Sequence, residues 1–186
     1  WKSIPAEYQK AVSVVYASGI IGGMDENGTF AGESSVNRAQ AAAIYTRLET
    51  YAEPYIQAAA LDYKRQEMLK EINLQRQNAG LSPLRLDERV CDYAQVRAQE
   101  ITESFSHTRL NGENYWTELG RMGIDYYPGG ENIAAGNSTV QATMNQWMNS
   151  PGHKANILKE GIGGVGIGYV QVEGGYQHYW VQIFVP

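Results

Sequence analysis

The sequence predicts an α+β fold behind a small helical module, and three observations predict it. Helical apolar patterns come first between about residues 67 and 148; two alternating segments close the chain; a separate helix–loop–helix pattern fills about residues 1–50. Helices followed by a terminal antiparallel pair give a domain whose helices cover a sheet. The length of 186 residues allows one full domain and a small one. Hydrophobic residues make up 43% and charged residues 19%, enough apolar material for a core and too little charge for a disordered chain.

In the first segment Tyr8, Ala11, Val12, Val15 and Tyr16 share one helical side, which stops at Gly19. Asp25 to Phe30 reads as a turn with a buried aromatic after it. Asn37 caps a second helix, with Gln40 three residues on, and this helix runs through Ala43, Ile44 and Leu48. Residues 51–66, with Pro54 and the run Ala58, Ala59, Ala60, form a helical connector. Residues 67–186 form the larger domain. Met68, Ile72 and Leu74 to Gln77 predict its first helix, ended near Gly80, and Leu81-Ser82-Pro83-Leu84 a turn. Asp87 caps a longer helix with Val90, Tyr93, Ala94, Arg97, Ala98 and Ile101 in one stripe. Shorter helices cover Tyr115 to Met122 and Val140 to Met148; Ser138 or Thr139 caps the latter and Pro151 breaks it. Ile162 to Val172 and Tyr176 to Val185 alternate as strands around the hairpin turn Glu173-Gly174-Gly175.

Composition excludes several classes of function. With 15 basic and 20 acidic residues the chain carries a net charge of -5, so a nucleic-acid partner is not expected. No apolar run approaches the ~20 residues that cross a bilayer, so no transmembrane segment is expected. The single Cys91 rules out an intrachain disulfide and any multi-cysteine metal site. The start at Trp1, without Met, reads as a fragment or a processed product.

Of the three histidines, two sit in settings that suggest chemistry, and one glutamate joins them. His107 follows a predicted helix in Ser104-Phe105-Ser106-His107-Thr108, and His153 lies in Ser150-Pro151-Gly152-His153-Lys154. Glu131 precedes an apolar run in Gly130-Glu131-Asn132-Ile133-Ala134. If the three meet, two neutral imidazoles and a carboxylate can hold a Zn²⁺-like ion with water in the fourth position. The same trio can equally form a brace in which the glutamate orients a histidine. Trp147 and Trp180 read as core. Tyr115, Trp116, Tyr126 and Tyr127 sit in polar or Gly-rich settings and can line a groove that stacks on a sugar ring or an apolar ligand.

Residues 67–186 resemble the CAP superfamily (SCP-like or PR-1-like domains) in its bacterial form. The resemblance is carried by Phe105-Ser106-His107-Thr108, Gly130-Glu131-Asn132-Ile133-Ala134, Trp147 to Leu158, Gly164 to Tyr169 and Tyr179 to Phe184. It implies an α-β-α sandwich with a groove around two histidines and two acidic residues. His107, Glu131 and His153 match directly, with Asn132 beside them; the second acidic position, three residues after Trp147, holds Ser150. A serine supplies a hydrogen bond and no charge, which weakens a two-carboxylate mechanism. His178, in the last strand, faces either this groove or the solvent side of the sheet.

Residues 1–50 resemble one S-layer homology (SLH) repeat. The matching features are the helical start at Tyr8, Ala11 and Val12, the turn Gly19 to Gly23, the loop Asp25 to Phe30, and Val36-Asn37-Arg38-Ala39-Gln40. The resemblance implies association with a cell-wall polysaccharide and makes Arg38 the candidate glycan contact; that family commonly uses three repeats together, and one is present here.

The expectation is a bacterial protein of the cell surface or cell wall, extracellular, whose His/Glu groove binds a lipid, peptide, glycan or protein. The alternative is a metal-assisted or general-base hydrolase. In that reading His107, Glu131 and His153 are catalytic and His107 and His153 hold Zn²⁺.

Overall fold

The structure, a computed structural model, describes residues 38–186. The expected helix over Tyr8 to Tyr16 and the turn at Asp25 to Phe30 lie outside the described residues, as does the Arg38 side chain. The chain divides into two compact units, Trp1–Ala60 and Leu61–Pro186.

Helix α1 (Arg38–Asn78) is a single helix of 41 residues, where separate helices and a connector were expected. No glycine interrupts this stretch, and its Ala, Glu, Gln, Leu and Arg residues are strong helix formers. Pro54 lies inside it, removing one backbone donor without ending it. The end is where expected. Gly80 takes φ +75°, and the Leu81 and Gly80 amides bond the Arg76 and Gln77 carbonyls, a glycine-dependent cap.

The second unit continues with β1 (Arg85–Leu86), α2 (Glu88–Glu103), α3 (Tyr115–Arg121), β2 (Gly130–Ala135), α4 (Val140–Met148), α5 (Pro151–Ile157), β3 (Gly164–Gln171) and β4 (His178–Val185). Helices α2, α3 and α4 fall where the periodicity puts them, with Asp87 and Thr139 as the side-chain caps. Pro151 opens a new helix as well as closing the old one. Its missing N–H costs nothing at the first helical position, so α5 follows α4 after two residues. The sheet order is β1-β3-β4-β2, with β1 parallel to β3 and the other two pairings antiparallel.

Strand β4 explains the layering. Trp180 and Phe184 pack with Met68 and Ile72 of α1, Met144 and Trp147 of α4 and Ile157 of α5. Tyr179, Val181, Ile183 and Val185 pack on the other face with Val90, Ala94, Ala98 and Ile101 of α2 and Leu119 of α3. Both faces are buried, so the segment is nearly all apolar. The result is the α-β-α sandwich. Gly166 and Gly168 of β3 let α2 approach: a methyl group at either would overlap the Val90 or Ala94 main chain.

Buried Arg76 fastens the lower layer. Its guanidinium donates to the carbonyls of Ser82 (2.8 Å), Ile157 (2.9 Å) and Lys159 (2.9 Å). Ile157 is the last residue of α5, where the helix dipole favours a cation, and Lys159 lies two residues past it.

Candidate functional site

Strand β2 is an edge strand, and neighbouring residues on it face opposite layers. Its outward carbonyls are covered: Asn156 Nδ2 donates to the Glu131 carbonyl (3.3 Å) and Trp147 Nε1 to the Ile133 carbonyl (3.2 Å). Glu131 therefore projects toward α2 while Asn132 projects toward α4 and α5. The candidate site forms around this edge.

The Glu131 side chain is fully buried, and so is Arg97 in the middle of α2. Arg97 Nε donates to Glu131 Oε1 at 2.9 Å, and its Nη2 donates to the Ser106 carbonyl at 2.7 Å. One guanidinium thus clamps the carboxylate and the loop that carries His107. Glu131 Oε2 meets His107 Nδ1 at 2.7 Å. A carboxylate only accepts, so the His107 proton sits on Nδ1 and Nε2 is left for the open side of a half-exposed ring.

The clamp continues outward. Arg97 Nη1 bonds Glu100 (2.6 Å), Arg109 bonds Glu100 (2.7 Å) and Glu118 (3.2 Å), and Arg121 bonds Glu118 (3.0 Å) and Glu113. Charges alternate from the surface to the buried carboxylate. Burial opposes the charge on Arg97, but Glu131 and then Glu100 outweigh it and raise its pKa. Burial likewise pulls the Glu100 carboxyl up, yet hydrogen bonds from Arg109 and Arg97 hold it below its usual value.

His153 comes from the other layer, on α5. Asn132 Nδ2 donates to the His153 carbonyl (3.2 Å) and to Gln182 Oε1 (3.1 Å), and Asn156 Nδ2 donates to Asn132 Oδ1 (2.9 Å). This buried amide network fixes α5 against β2 and β4. His153 Nδ1 is buried and has no hydrogen-bond partner. Burial, then the neighbouring His107, push its pKa down. One imidazole is thus oriented by a carboxylate, and its neighbour carries a buried nitrogen with no hydrogen-bond partner. Ser150 is the half-buried N-cap residue of α5, and its hydroxyl makes no capping bond.

His178 does not join them. Glu131 pairs with Ile183 and Ala135 with Tyr179, so His178 lies five residues along β4, roughly 16 Å away. There it stacks on Tyr169 and bonds its hydroxyl through Nδ1 (2.8 Å). Arg97 is the residue sequence reading left unused. An arginine inside an otherwise apolar stripe is a buried cation, and a buried cation needs a counter-ion; that was the available signal.

The donor set does not fit a three-ligand zinc centre. Arg97 and His107 engage the two Glu131 oxygens, and among the described residues no three His, Cys, Asp or Glu side chains gather as metal ligands.

A three-layer sandwich with two histidines and a clamped glutamate at its edge strand defines a CAP/SCP-type domain. The model of the cysteine-rich secretory protein family (CAP) matches residues 69–184, and the chain belongs to that family. The S-layer homology domain model matches residues 1–42 and places the protein at the cell surface or outside the cell. YkwD of Bacillus subtilis (strain 168) is 32% identical over 157 residues, which are 83% of this chain and 58% of that protein. The chain thus spans little more than half of that curated relative. Two solved structures share the fold. An extracellular SCP-domain protein of Bacillus anthracis has TM-score 0.59 and 23% identity, over 82% of this chain and 45% of that one. An outer surface protein of Borrelia burgdorferi has TM-score 0.60 and 21% identity, over 66% of this chain and 92% of that one.

Proposed function

We propose that this cell-surface protein binds an extracellular ligand in the groove formed by His107, Glu131 and His153, with Asn132 anchoring α5 and Ser150 at the start of that helix beside it. The SLH segment associates with cell-wall polysaccharide through Arg38. The observation that carries the groove reading is the buried Arg97–Glu131 pair on His107. A buried ion pair is a poor way to gain stability, but it fixes one geometry for the ring it touches. His107 Nε2, on the open side of a ring already fixed by Glu131, then offers a hydrogen-bonding position that needs no rearrangement.

Hydrolysis draws less support from the same geometry. Arg97 holds Glu131, the second carboxylate position is Ser150, and the Ser106 hydroxyl accepts from the Thr108 amide (3.0 Å).

Histidine-labelled full chain, followed by NMR, tests the reading with three probes: phosphocholine micelles, a short peptide mixture and an oligosaccharide. At least one probe is expected to move the His107 and His153 ring signals and leave His178 in place. No movement with any probe, or equal movement of all three histidines, overturns it.

A further inference from the structure

Beside the histidines lies an exposed aromatic ledge that the groove reading leaves unexplained. Trp116 is 37%, Tyr126 40% and Tyr127 80% exposed. The Trp116 and Tyr126 rings lie 25° from parallel with centroids 6.3 Å apart, and Tyr115 meets Trp116 edge-on at 5.2 Å. The ledge is held from two sides. Trp116 sits in the first turn of α3, where the preceding carbonyl, of Tyr115, accepts from the buried Tyr93 hydroxyl (2.6 Å). Tyr126 and Tyr127 sit in the turn that enters β2: the Tyr127 amide bonds Asp125 Oδ1 (3.1 Å), and the Gly129 amide bonds the Tyr126 carbonyl (2.6 Å). Glu131 follows two residues later. Thr108, next to His107, forms a β-bridge with Asn114, the residue before Tyr115, so the start of α3 and its ledge lie beside the His107 loop.

We propose that this ledge is a subsite for an uncharged pyranose glycan strand, whose next residue reaches the His107–Glu131 pair. The inference rests on the groove reading and names its ligand class. Each ring offers a flat apolar face with a polar tip, which matches a sugar ring: C–H bonds on the face, hydroxyls around the rim. An acyl chain gains most from enclosure, and this is an open surface. Charge narrows the choice further. Asp125 supplies an acceptor for sugar hydroxyls, while Arg121 is engaged by Glu113 and Glu118 and the Lys159 ammonium is held on the Gly129 carbonyl (3.0 Å), so a polyanion finds no uncommitted cation along this stretch. The SLH match at 1–42 puts the groove at a polysaccharide-bearing surface.

Calorimetry of the full chain with chitohexaose and with cellohexaose tests the proposal, each variant first checked for a native circular dichroism spectrum. Binding of either oligosaccharide is expected; binding of chitohexaose alone adds the acetamido group to what is recognised. Trp116→Ala and Tyr126→Ala are each expected to weaken it about tenfold or more, and Trp116→Phe to keep most of the affinity. No heat with either oligosaccharide, or unchanged affinity in both alanine variants, overturns the proposal. If the histidine signals still move with micelles or peptides in that case, the groove reading stands and only the glycan assignment falls.

Discussion

Arg97 is the residue on which the site depends, because one guanidinium serves two acids and a carbonyl. Arg97→Ala leaves the buried Glu131 without its cation and with only the His107 ring as partner, which costs about 3–5 kcal/mol. Urea unfolding of the full chain reads this directly, and a loss within experimental error contradicts the clamp. Acid acts on two nearby groups in the same direction. His153 has a pKa pushed below its ordinary value of 6.5 by burial and then by His107, so the unfolded chain takes the proton first. Stability therefore rises with pH through that window and falls as pH drops below about 6.5. Glu100, opposed by burial but held down by Arg109 and Arg97, contributes stability above the ordinary carboxylate value. That part is lost as pH falls through its folded pKa. The urea midpoint should fall between about pH 7 and 5 in the parent and less so in His153→Gln; an equal fall in both shows that His153 is not the group titrating. His107, Glu131 and His153 were legible as residues because their motifs are distinctive. Their geometry was not, since Arg97 reads as one more member of a helical stripe until its counter-ion is known.

At the scale of elements, the helices with ordinary punctuation were legible and those with shared or minimal punctuation were not. Asp87, Thr139 and Gly80 mark ends that the structure keeps. Helix α1 merges three expected pieces because nothing between Arg38 and Asn78 except Pro54 interrupts it. Strands β1 and β2 are short, two and six residues with little periodicity, and helix α5 is hidden because Pro151 reads as the end of one helix before it reads as the start of another. The glycines of β3 were visible only as a Gly-x-Gly pattern. Their role is steric, since α2 lies directly on Gly168. Gly168→Ala should cost about 1–3 kcal/mol by forcing α2 off the sheet. Thermal unfolding checks this, and a midpoint equal to the parent's would mean that α2 and β3 are not in backbone contact.

For the whole molecule, the order of elements matters more than any one of them. His107 arrives from the end of α2, Glu131 from the edge strand, and His153 from a helix started by a proline. Only the sandwich brings them to one edge, while the register of β4 carries His178 away from it. The SLH segment gives the chain a second surface contact by our proposal. Arg38→Ala should then reduce co-sedimentation of the full chain with purified cell wall, and unchanged pelleting removes Arg38 from that role. The fold presents His107 in one fixed state, its Nδ1 proton on a carboxylate clamped by Arg97. A long-range ¹H–¹⁵N spectrum of the full chain at neutral pH tests it most directly. His107 is expected as the Nδ1–H tautomer, lost in Glu131→Leu; an Nε2–H tautomer in the parent protein would mean that Glu131 does not hold the ring.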